Sequence, residues 1–408
     1  MIKKFKSQIF AFPKSFRILV FSTFVGRLGG SLIFPFLSLY VIQKFKVGMT
    51  HVGLIFGFWS ISSLVGSMIG GALADKFGRK AIVIFGLLSS AFTGILMGLV
   101  TEIRGFYILA LVSGLFSDIG HPAQQAMVAD LLEGDKRAEG FGIIRVVQNL
   151  AITIGPAIGG ILAGISYLLL FILDAATSAI TALIVLSSIP ETKPDAIEGE
   201  KKDSVLETIL GYRHVAKDRL FIAFILATII IITVYSQMYS SLAVFLNQVH
   251  AVPPNVFGYI MSMNAAMVVF FQFWITKQIK KHQPMLMLVL ASALYGVGFV
   301  MYGIVKTTFF FFLAMVIITI GEMIHIPVAQ TLAASFAPEK MRARYMAAYG
   351  LGWAIPNSVA PLLAGLVMDS YSPQWVWYIA GILATIAVLC FGYLQIRVKN
   401  RFSNLYNE

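Results

Sequence analysis

The chain has 408 residues, 58% of them hydrophobic and only 12% charged, with a formal net charge of +12 and a mean hydropathy of +0.83. Soluble domains carry about 25% charged residues, so a soluble fold is excluded, and 33 phenylalanines could not all hide in a soluble core of this length. The only cysteine, Cys390, rules out a disulfide scaffold.

Apolar runs of about 20 residues or more recur along the whole sequence, the length a helix needs to cross roughly 30 Å of hydrocarbon. In lipid each backbone N–H must be paired within its own segment, so the runs predict helices. Twelve spans are expected, at 16–42, 50–74, 81–100, 106–131, 139–164, 167–189, 219–246, 254–276, 284–305, 308–336, 343–368 and 374–396. The first 17 residues carry five basic side chains and no acid, and the apolar run beyond them is too long for a cleaved leader, so an uncleaved first helix is expected. If the N-terminus is cytoplasmic, 25 of the 31 Lys and Arg fall on that side and four on the other, so a multi-pass protein of the cell membrane with both termini cytoplasmic is expected. Dispersed among short loops, this positive charge faces lipid headgroups and is no nucleic-acid footprint.

The longest polar stretch, 190–218, divides the spans six and six. At a shift of 205 residues, Pro122 meets Pro327, Gln125 meets Gln330, Arg137 meets Arg342, Pro156 meets Pro361 and Gly160 meets Gly365. The expected architecture is therefore an all-α membrane protein of two six-helix bundles, 1–189 and 219–408, joined by a linker at 190–218. Six spans per repeat give both halves the same orientation, related by a pseudo-two-fold axis along the membrane normal, as in transporters with a midplane site.

Between spans 2 and 3 lies "GALADKFGRK". Gly71 permits close helix approach, Gly78 a tight turn, and Asp75, Lys76, Arg79 and Lys80 can clamp neighbouring helix ends. This Gly-x-x-x-Asp-Lys-x-Gly-Arg-Lys pattern resembles the loop motif of the major facilitator superfamily; the blander alternative is a positive-inside anchor. The resemblance covers the whole chain and implies alternating access by two bundles, with the loop arginine pairing an acid at the end of span 4. Here that acid is Asp130, which makes Asp75, Arg79 and Asp130 a candidate latch, with Arg145 near the same end of span 5. In span 5, "ITIGPAIGG" is similar to the helix motif of the drug:proton antiporter branch. Pro156 loosens the helix there, and Gly155, Gly159 and Gly160 offer a smooth face. Generic small-residue packing is the alternative.

An ionised side chain deep in a span costs at least about 2.5–3.5 kcal/mol, so each needs a reason. The deep ones are Arg27 (span 1), Asp118 and His121 (span 4), Asp174 (span 6), and Glu322 and His325 (span 10). Spacing i,i+3 puts Asp118 with His121, and Glu322 with His325, on shared helix faces. A carboxyl group shielded from water can exchange a proton with a competing cargo, and Glu322 ranks first for this, then Asp118. Ion pairing with Arg27 or a histidine is the structural alternative for both; for Asp174 it is a polar anchor between helices. Related exporters usually carry an arginine in span 4 that "LALVSGLFSDIG" lacks, so their coupling scheme does not transfer unaltered.

The expected function is proton-coupled export of lipophilic or cationic compounds by a monomer. No cofactor is expected, and the partners are an amphipathic small molecule, protons and lipid. Uptake or lipid-linked transport on the same fold is the sibling reading. A membrane di-iron enzyme, built on the two acid-x-x-His patterns, is the reading from another class.

Overall fold

The computed structural model describes residues 12–132, 136–193, 215–338 and 341–398. The described residues contain helices and no strand, and twelve helical stretches are long and apolar enough to cross a membrane. Their ends fall within a few residues of those expected from hydropathy, apart from the seventh, which ends at Ser240.

In chain order the first six spans are built from α1 (Lys14–Ile33) with α2 (Leu37–Phe45), α3 (Met49–Phe77), α4 (Arg79–Leu99), α5 (Ile103–Ser117) with α6 (His121–Asp130), α7 (Lys136–Ala163) and α8 (Tyr167–Ser188). The second six use α9 (Arg219–Ser240), followed by the short α10 (Leu242–His250), then α11 (Pro254–Ile279), α12 (Pro284–Ile304), α13 (Thr308–Phe336), α14 (Arg342–Ser370) and α15 (Trp375–Val398).

One expectation is corrected here. Span 4 is not one helix: it breaks at Asp118–Gly120, where the His121 N–H reaches back to the Asp118 carbonyl at 3.2 Å. Gly120 is a poor helix former, and the Pro122 ring has no N–H and would meet the carbonyl four residues back. Asp118 and His121 therefore flank a turn and belong to different helices, whereas Glu322 and His325 both lie in the continuous α13.

Two compact units emerge. One comprises the described residues within Met1–Val47, Leu54–Glu198 and Ala251–Val269; the other, those within Gly48–Gly53, Gly199–His250 and Phe270–Glu408. In the first, α1 runs along α7 and α8, and α4 along α8 and α5. Phe16 and Leu19 of α1 meet Met127 of α6, Ile143 of α7 and Val185 of α8 in one buried cluster. Tyr40 and Lys44 of α2 close the end of α4: the Tyr40 hydroxyl donates to the Met97 carbonyl (2.7 Å) and the Lys44 ammonium to that of Gly98 (2.7 Å). In the second unit, α12 lies against α13 and α15, and α9 against α14 and α15. Trp377, wholly buried, stacks on Phe299 with ring centroids 6.2 Å apart.

Each unit thus takes a short segment from the other sequence half, and glycine makes this possible. In the first unit, Gly258 of α11 lies against the Pro156 carbonyl and Gly160 of α7; a Cβ on Gly258 would come 3.2 Å from the Gly160 Cα and closer still to that carbonyl. In the second, Gly53 lies against Pro361 and Leu362 of α14, and a Cβ there would come 2.7 Å from the Pro361 carbonyl. Gly53 and Gly258 are themselves 205 residues apart, so the two crossings are copies of one another.

Gly258→Ala should force these backbones apart and cost about 1–3 kcal/mol as an overpacked contact. Gly350→Ala, whose Cβ would meet nothing within 4 Å, should cost nothing. Thermal unfolding of the two purified variants compares them directly.

Candidate functional site

The end of α3 and the start of α4 carry the charged loop. Gly78 turns the chain with φ of 101°, a conformation side-chain-bearing residues rarely adopt, and α4 starts at the next residue. Arg79 forms an ion pair with Asp130 at 2.6 Å and also donates to the Thr192 carbonyl at 3.2 Å. Asp75 is exposed and has no hydrogen bond or ion pair among the described residues; Gly71 sits near Pro122. Lys76 contributes its backbone carbonyl, which accepts from the Lys193 ammonium at 3.0 Å.

The principal anchor of this loop escaped sequence reasoning. The Glu191 carboxylate accepts the backbone N–H groups of Arg79 (2.9 Å) and Lys80 (3.2 Å), and those of Thr192 (2.9 Å) and Lys193 (3.0 Å). It supplies from beyond span 6 the cap that Gly78 cannot provide, placing negative charge at the positive end of α4. Its position directly after a span end, on the side of the basic loop, was the available signal. Asp369, at the end of α14, does the same for α3, accepting the N–H groups of Met49 and Thr50 at 2.8 Å each.

In the first unit a cavity of about 360 Å³ opens among α1, α6 and α7. Its polar wall includes Arg27, His121, Gln125, Arg145, Gln148 and Asn149; its apolar wall includes Phe141, Ile144 and Ile152. The Gln125 amide nitrogen lies 3.5 Å from His121 Nε2, and Gln124 is committed to Thr23, donating to its hydroxyl at 2.9 Å. Asp118 does not line this space; the Ser63 hydroxyl of α3 donates to its carboxylate. Asp174 does not line it either. Its carboxylate sits where α1 and α4 each present a glycine, Gly29 and Gly94.

In the second unit Glu322 is 9% exposed and lies in the neighbourhood of Tyr235 and Tyr295. Those two rings lie 5.6 Å apart, Trp353 is 6.0 Å from Tyr235, and the Trp353 indole donates to the Tyr349 hydroxyl at 3.3 Å. His325 is fully buried against Tyr295 and Phe391, and neither ring nitrogen has a hydrogen-bond partner among the described residues. The arrangement gives a buried acid in the neighbourhood of an aromatic cluster.

The span-5 motif divides its faces. Gly155 and Gly159 turn to α1, against Ser31 and Leu32, while Pro156 and Gly160 meet α11. Among the described residues no group of three or more His, Cys, Asp or Glu side chains is placed to hold a metal ion, and the helix break separates Asp118 from His121.

The family model described as Major Facilitator Superfamily matches residues 19–361 and again 325–404. The chain is 25% identical over 414 residues to the Na(+), Li(+), K(+)/H(+) antiporter of Planococcus maritimus, covering 93% of this chain and 95% of that protein. It is 23% identical over 371 residues to the multidrug resistance protein MdtH of Escherichia coli (strain SE11), covering 90% of each. Among solved structures, the nucleoside transporter NupG superposes with a TM-score of 0.82 at 15% identity, over 93% of this chain and 100% of that one. The peptide transporter POT does so with a TM-score of 0.76 at 17% identity, over 96% of each. At such identities the likeness to solved structures speaks to the fold alone.

Partial burial pushes the pKa of Glu191 up, but backbone N–H donors from Lys193, Arg79, Thr192 and Lys80 together pull it down further, and the net value is lowered. A lowered pKa means the contact stabilises the folded chain above the ordinary glutamate range and is lost as pH falls through the depressed value. Glu191→Gln should therefore lower the apparent Tm by about 2 °C at neutral pH. The gap to the unaltered protein should narrow as pH falls below the ordinary glutamate range, as scanning fluorimetry would record.

Proposed function

The chain belongs to the Major Facilitator Superfamily, and from that premise we propose that it couples export of amphipathic small molecules to proton entry by alternating access. As a member it is a multi-pass integral membrane protein and a secondary transporter, not an enzyme.

The observation that carries the proton-coupled reading is Glu322. A carboxyl group buried in a membrane-spanning helix, in the neighbourhood of Tyr235 and Tyr295, is costly to keep ionised and gains a purpose if it alternates between proton and cargo. Two relatives, an antiporter and a multidrug resistance protein, support exchange and export. Asp118 is the second candidate carrier, its carboxylate held by Ser63 at the break in span 4. Asp174 and His121 serve in this scheme as polar partners rather than carriers; His325, whose ring nitrogens have no hydrogen-bond partner among the described residues, takes neither role. Arg79 and Asp130, with Glu191, form the loop clamp that would be made and released during the cycle. The bias of Lys and Arg supports a plasma-membrane orientation with both termini cytoplasmic.

Everted membrane vesicles with an acid interior test this, with a panel of amphipathic dyes of both charges as cargo. Gradient-driven accumulation should fall at least about tenfold in Glu322→Gln, while exchange of cargo across unenergised membranes persists. Accumulation that survives in the variant and still collapses with a protonophore would reject Glu322 as the carrier.

A further inference from the structure

The cavity in the first unit is cationic, and this bears on what it holds. Arg27 and Arg145 are both exposed along its wall, and neither has an ion-pair partner among the described residues. His121 lines the same space, and among the described residues no aspartate or glutamate does. Two guanidinium groups within membrane-spanning helices, with no acidic partner among the described residues, carry an electrostatic cost that a bound anion would relieve. Low-dielectric walls also focus the field of such a cluster into the cavity.

We propose that this cavity receives the anionic head of the cargo: a carboxylate, sulfonate or phosphate group on an apolar body. The proposal deepens the transport reading above, on which it rests for why the cavity should be filled at all. Guanidinium presents paired N–H donors in a planar fork that matches two oxygens of such a group, as a lone ammonium does not. Gln125, Gln148 and Asn149 add side-chain amides that can donate to the remaining oxygens. Phe141, Ile144 and Ile152 supply the apolar wall against which a hydrocarbon or aromatic body would lie. The volume, about 360 Å³, lies at the small end of small-molecule sites and suits a head group with part of its body. To the lipophilic or cationic compounds expected from sequence, this adds amphipaths with an anionic head. Free anions and anionic phospholipids share this chemistry.

Equilibrium binding of octyl phosphate, octanoate and octyltrimethylammonium to the purified full-length protein in a nonionic detergent tests the proposal, because the probes share one tail and differ in head charge. The two anions should bind at least about tenfold more tightly than the ammonium probe, and that preference should weaken as salt rises. Arg27→Gln with Arg145→Gln should abolish the preference, while Arg27→Lys and Arg145→Lys should retain part of it. Equal binding of the three probes by the unaltered protein, or tighter binding of the ammonium, would overturn the proposal without any variant. A preference that survives loss of both guanidinium groups would overturn the assignment of the site. Phosphatidylglycerol in the micelle distinguishes the two sources: displacement of octyl phosphate identifies a lipid head group as the occupant, and no displacement identifies a free anion. No proton gradient enters this measurement, so a failure here is distinguishable from a failure of proton coupling at Glu322.

Discussion

A hydrocarbon bilayer offers no water to a polar group, and this constraint governs where every charge in the chain can sit. The polar groups within the spans meet it in different ways. Glu322 is buried in the neighbourhood of tyrosines in the second unit. Arg27 and Arg145 face a cavity in the first. Asp174 occupies space left by two glycines, and Asp118 takes a serine hydroxyl. Near the ends of the spans, Glu191 and Asp369 complete the hydrogen bonding of helices α4 and α3, whose first N–H groups would otherwise be left open.

Close packing meets the complementary demand. Helices in lipid gain little from hydrophobic burial against one another, so association depends on surfaces that fit. The paired crossings at Gly258 with Gly160, and at Gly53 with Pro361, let backbones approach to distances a methyl group would prevent. Their recurrence at the spacing of the internal repeat links the duplication in the sequence to a duplicated contact in the fold. These same segments, Ala251–Val269 and Gly48–Gly53, are the ones each unit takes from the other half of the chain.

Much of the fold was legible because span length is a direct physical requirement: an apolar run either reaches across hydrocarbon or does not. The loop at Gly71–Lys80 was legible for a similar reason, since its charges had no place in lipid. The break in span 4 was written in Gly120 and Pro122, but an i,i+3 reading of Asp118 and His121 passed over it. Glu191 was hidden among several acids of the polar linker, where composition cannot say which one reaches back to a helix start. Asp369 was hidden because its partners are backbone N–H groups, which leave no mark in the sequence. The cavity needed three-dimensional placement, because Arg27, His121 and Arg145 come from three separate spans and only the fold brings them to one wall.

Proton exchange at Glu322 is the step on which transport coupling turns. The direct measurement is proton release from purified protein in weakly buffered solution when a transported compound is added. The unaltered protein should release protons as cargo binds, and Glu322→Gln should bind the same cargo without release. Equal release from both proteins would contradict the assignment and move the coupling to another group.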